Sequence, residues 1–196
     1  MMNDHIIKMM RALRLHILTL VFILLMAASP ATLSAKGAYI GDIIVTNSTS
    51  SLLLYFNVRD CFTKEIETGI QNGIPATFTF YVELYQSRTA LPDKEIASHT
   101  FYHTLEFDSL KDEYHIRLSE KNDKILLSLN DAKSMMAEVG GFEVASLQRL
   151  RPDHSYRLRV KAKLAKKTLP LYFHYLIPFT SLWDFETDWH TIEFRY

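Results

Sequence analysis

The sequence predicts a mostly β protein, an antiparallel β-sandwich carrying two short helical insertions. Three observations predict it: long segments alternate apolar and polar residues, two short segments switch to helical spacing, and a Tyr-initiated strand follows a Leu-x-Pro turn. A period of two in β-branched and aromatic company marks a strand with one buried face.

The first strand fits 39–46. Leu52, Leu54, Phe56 and Val58 then alternate with Ser51, Asn57 and Arg59. Phe62, Ile66 and Ile70, four apart, predict a helix capped by Asp60 and stopped by Gly73. Phe78, Phe80, Val82 and Leu84 alternate with Thr77, Thr79, Tyr81, Glu83 and Tyr85. Further strands fit 96–107, 113–118 and 124–129, the last two joined by the hairpin loop Glu120 to Asp123. Ala132, Met135, Met136 and Val139 predict the second helix, between Asn130 and a stop at Gly140-Gly141. A strand at 142–149 precedes the longest alternation, in which Tyr156, Leu158, Val160, Ala162 and Leu164 interleave with Arg157, Arg159, Lys161 and Lys163. Eight or so short strands with scattered helices are the pattern of a sandwich. The run from Leu150 to Val160 resembles the tyrosine corner of immunoglobulin- and fibronectin-like domains, where a Tyr hydroxyl bonds back to the preceding turn.

Residues 1–35 read as a cleavable signal peptide. Lys8, Arg11 and Arg14 form a basic start, Ile17 to Ala28 an uncharged apolar run, and a small-residue segment ends at Ala35. The mature chain then begins at Lys36 and works in the periplasm. The alternative is an inner-membrane anchor, because 17–35 is uncharged and close to the ~20 residues of a span. No repeat, low-complexity tract or linker divides 36–196, which is one domain of 161 residues, long enough for its own core.

Of the 22 basic and 22 acidic residues, Lys8, Arg11, Arg14 and Asp4 precede residue 36, leaving 19 and 21 and a formal charge of −2. That balance gives no nucleic-acid footprint. The one cysteine, Cys61, can form no internal disulfide and reads as a small buried hydrophobe.

Several segments together resemble a Gram-negative bacterial envelope family, the domain of unknown function 4390. They are Gly73-Ile-Pro75 leading into TFTFYVELY (77–85), LEFDSLKDEY (105–114), YRLRVKA (156–162), Leu169-Pro170-Leu171, and the stretch from Trp183 to Trp189. The resemblance implies an exported domain with no assigned activity. Some members' genes lie beside a sensor histidine kinase, which implies such a kinase as a partner by association alone.

Four constellations could carry chemistry. His99 and His103 have the spacing of a helical metal pair, but on a strand they sit roughly 13 Å apart, too far for one ion. Asp184, Glu186 and Asp188, with His190, could suggest Ca²⁺, yet the EF-hand glycine and distal glutamate are missing. Trp183, Phe185 and Trp189 should form the apolar face of that strand, with the acids on its wet face. The basic row Arg157, Arg159, Lys161 and Lys163 is the candidate surface for an anionic partner. Acids on neighbouring strands would instead make it structural. Finally, residues 172–196 gather both Trp residues among many aromatics, as core or as an exposed groove.

No nucleophile elbow, S-x-x-K or phosphate-cradling glycine loop occurs, and no cofactor or metal is expected. The sequence therefore predicts a non-enzymatic interaction module meeting an envelope protein or an anionic envelope component. A small outer-membrane β-barrel, suggested by the terminal alternation of Ile192, Phe194 and Tyr196, and an unrecognised envelope hydrolase are the alternatives.

Overall fold

The alternation read from the sequence becomes two antiparallel sheets in a computed structural model, which describes residues 37–164 and 185–196. The predicted signal segment lies outside the described residues. Among those described, the strands are β1 (Tyr39–Asn47), β2 (Ser51–Arg59), β3 (Ala76–Gln86), β4 (Lys94–Asp108), β5 (Glu113–Leu118), β6 (Lys124–Leu126), β7 (Glu138–Ser146), β8 (Ser155–Leu164), β9 (Phe185–Glu186) and β10 (His190–Arg195). Helix α1 (Lys64–Gln71) joins β2 to β3, and α2 (Leu129–Ala137) joins β6 to β7. One sheet runs β1-β2-β7. The other runs β10-β8-β3-β4-β5-β6, with β9 also on β8, and both are open.

The two sheets share one core. On β3 and β8 every second side chain is buried without water contact, from Phe78 and Phe80 to Tyr156 and Leu158. Leu54, Phe56 and Val58 of β2 answer from the other sheet. Phe56 meets Phe80 edge-on at 5.7 Å, and Phe142 of β7 stacks on Phe101 of β4 at 4.3 Å. The fully buried Phe80 contributes about 1.5–3 kcal/mol of transfer energy. The helices cover the same core: Ile66 and Ile70 of α1, and Ala132 and Met136 of α2, are buried.

The predicted element order holds, with local differences: the strand expected at 142–149 runs Glu138–Ser146 as β7, and Leu147–Arg149 form a 3-10 turn. Thr63 and Ser128 cap the helices, not Asp60 and Asn130, because their hydroxyls accept from the backbone N–H three residues on. Asp60 instead takes a positive φ of 54°. Strand β6 ends at Leu126, since α2 begins at Leu129. Gly140-Gly141 stops no helix. It lies inside β7, where the register with β2 slips between the pairs Leu54–Phe142 and Phe56–Val139. Gly141 has φ 72°, and a Cβ there would sit 3.3 Å from the Tyr55 hydroxyl, so the bulge needs glycine.

Tyr156 is fully buried, and its hydroxyl accepts a 2.7 Å hydrogen bond from the Arg151 N–H. That is the back-bond the Leu-x-Pro-to-Tyr pattern anticipates. Asp153, at φ 63°, makes the turn, and its N–H bonds the Tyr196 carbonyl.

Candidate functional site

The basic row on β8 is the first candidate. Strand alternation puts Arg157, Arg159, Lys161 and Lys163 together on the face away from the core, all partly exposed. Successive cations on a strand lie ~6.6 Å apart and repel one another unless something compensates. Neighbouring elements supply the compensation. Arg157 bonds Asp93 at 2.8 Å and Glu193 of β10 at 3.0 Å. Arg159 faces Glu83 of β3 at 3.7 Å, while Glu186 of β9 receives Lys161 and, at 2.9 Å, Lys163. Those two hydrogen bonds hold the Glu186 carboxyl down at about 2. The row is thus interleaved with acids rather than projecting an open field.

Trp189 completes this face by an unexpected route. The register pairs Glu186 with Lys163 but His190 with Val160, so the β9–β10 segment holds one residue more than β8 opposite it. An extra residue reverses the side-chain alternation. Phe185 therefore turns inward onto Phe78 at 4.9 Å, whereas Trp189 lies on the outer face. It stacks over the Arg159 guanidinium at 4.3 Å and Lys161 at 5.7 Å. This corrects the single apolar face expected for Phe185 and Trp189; Trp183 and Asp184 lie outside the described residues.

A second candidate is a groove of about 760 Å³ between the β5–β6 turn and α2. Leu118, Glu120, Lys121, Asp131, Ser134 and Glu138 are among its walls. Beside it His103, on β4, is buried: Nδ1 donates to the Met136 carbonyl at 2.9 Å, and Nε2 meets Glu120 Oε1 at 2.7 Å. The second carboxylate oxygen, Oε2, is buried without a hydrogen-bond partner among the described residues. An unmatched buried acceptor costs free energy unless something donates to it. With both ring nitrogens of His103 engaged, the pair acts as a brace between sheet and helix.

A family model described as Domain of unknown function (DUF4390) matches residues 35–193. The chain belongs to this family. No curated protein and no solved structure matches it.

The remaining candidates of this DUF4390 chain find plain structural roles. His99 Nε2 bonds the Val144 carbonyl at 2.7 Å, so both β4 histidines bridge elements of the core. Cys61 is buried, its Sγ donating to the Val58 carbonyl, and burial pushes its thiol up to about 12. Among the described residues no three His, Cys, Asp or Glu gather as a metal site, and no helix is long and apolar enough to cross a membrane. Phe194 of the terminal alternation stacks on Tyr156 at 5.8 Å. The aromatics at 172–183 lie outside the described residues.

Glu120 escaped the sequence reading, which placed it in a hairpin loop. Its signal is the register of the β4–β5 hairpin: His103 pairs with Leu118, leaving Glu120 two residues past the strand end.

Proposed function

We propose that this protein is an exported, non-enzymatic interaction module of the bacterial envelope, built as an immunoglobulin- or fibronectin-like sandwich, with its partner seated in the α2 groove. The strand orders support the fold reading. β1-β2-β7 runs as A-B-E, β10-β8-β3 runs as G-F-C, and β4 and β5 extend that sheet as C′ and C″ do. The Tyr156 back-bond falls where such domains carry their tyrosine corner.

The observation that carries the binding reading is Glu120, which lines the groove with one buried oxygen unmatched among the described residues. A partner offering an amide or basic donor would satisfy it. An envelope protein fits that chemistry, and a sensor histidine kinase is a partner to test by family association.

Crosslinking capture from the native envelope tests this reading. Ser134 is exposed on α2 and lines the groove, so Ser134→Arg fills it without disturbing the core. Capture should be lost in this variant with an unchanged thermal midpoint. Equal capture by the variant would remove the groove from the argument. N-terminal sequencing of the recovered protein should begin at Lys36; full-length chain in the inner membrane would support the anchor instead.

A further inference from the structure

Cations at one end of the larger sheet lack the compensation that the β8 row enjoys. Arg88, Lys94, Arg151 and His154, with Ser87 and Thr89, line a concavity of about 540 Å³ that no carboxylate lines among the described residues. Two chain segments form it: the β3–β4 connection and the turn ahead of β8. Arg88, Lys94 and Arg151 are exposed, and none makes an ion pair among the described residues.

The arrangement is fixed by the fold, and the side-chain ion pairs of the nearby acids go to arginines outside it. The Tyr156 hydroxyl holds the Arg151 backbone N–H, and the β3–β4 ladder places Lys94 opposite Gln86. Asp93 accepts the Arg88 backbone N–H at 3.3 Å through one oxygen and Arg157 at 2.8 Å through the other. Asp153 pairs with Arg195 at 3.3 Å. His154 commits Nδ1 to the Pro152 carbonyl at 2.9 Å, and its Nε2 has no partner among the described residues.

The geometry points to this concavity as a binding site for a phosphoryl group. Two guanidinium forks and an ammonium match a phosphoryl group, monoester or diester, whose anionic oxygens accept bidentate bonds from arginine. The Ser87 and Thr89 hydroxyls add neutral donors. The space exceeds one phosphoryl group, so the ligand carries a further moiety, as a phosphorylated sugar or a phospholipid headgroup does.

Titration of the full chain with inorganic phosphate tests the site, beside co-sedimentation with vesicles of phosphatidylglycerol or of phosphatidylcholine. We expect saturable binding that falls by about tenfold or more in Arg88→Gln/Arg151→Gln, with an unchanged thermal midpoint. The control Lys111→Gln/Arg117→Gln removes the same charge at the remote β4–β5 hairpin and should bind as the wild type does. Binding of inorganic phosphate assigns a soluble phosphate ligand. Binding of phosphatidylglycerol vesicles alone, still dependent on Arg88 and Arg151, assigns a lipid headgroup. No binding of either probe, or an equal loss in the control, overturns the site.

Discussion

The β8 row and the end concavity hold similar cations in opposite electrostatic settings. Along β8 each basic residue lies beside strands that present acids: Glu83 on one side, Glu186 and Glu193 on the other. At the sheet end, Arg88 and Arg151 sit in connections, where no ladder partner is imposed, Lys94 opens β4 opposite the neutral Gln86, and the side-chain ion pairs of Asp93 and Asp153 go to other arginines. The difference teaches that a run of positive charge says little about binding until its cross-strand neighbours are known. Charge in a ladder is compensated by register, whereas charge at a loop cluster can remain available.

Reversing one charge inside the row should give the largest effect. Arg159→Glu would face Glu83 and lose its stacking under Trp189. Attraction becomes repulsion and the cation–π contact goes, together about 2 kcal/mol. Denaturant unfolding should show that loss, while phosphate affinity stays unchanged because Arg159 does not line the concavity. An unchanged midpoint with weakened phosphate binding would erase the distinction between the two regions.

Tyr156→Phe links the regions and should cost less. It removes the hydroxyl that accepts the Arg151 N–H, worth about 1 kcal/mol or somewhat more. For a domain of this size that is a fall of about 2–4 °C in the thermal midpoint. Because Arg151 is then less firmly placed, phosphate binding should weaken several-fold, though less than in Arg88→Gln/Arg151→Gln. A variant as stable as the wild type would mean that this back-bond does not hold the turn.

What the sequence made legible follows the same divide. Alternation alone assigned the buried and outer faces of β2, β3 and β8, since one face of each strand must leave water. The Tyr156 back-bond was legible too, because Leu150, Pro152 and Tyr156 lie within one short segment. Pairing between distant strands was not. Glu83, Glu186 and Glu193 gave no sign of meeting the β8 cations, and one extra residue after Glu186 sent Trp189 to the opposite face. The same limit hid both concavities. Glu120 meets His103 across a hairpin, and Arg88 and Arg151 converge from connections 63 positions apart in the sequence.

The smallest effect should come from acid, through Glu186. Hydrogen bonds from Lys161 and then Lys163 lower its carboxyl from an ordinary 4.5 to about 2. A depressed carboxylate contributes stability that is fully present above its unfolded value and is lost as pH falls through its folded one. The contribution should therefore hold above about pH 4.5 and vanish towards pH 2. Both partners reach solvent, so its size is small and salt screens it further. Thermal midpoints of the wild type and Glu186→Gln, measured at low salt, should differ modestly at neutral pH and converge across that window. Phosphate affinity, read at neutral pH, should be the same in both, since Glu186 lies on the row and not at the concavity. A midpoint gap that stays constant down to pH 2 would mean that the Glu186 carboxylate does not neutralise the row, and the contrast with Arg88 and Arg151 would lose its electrostatic basis.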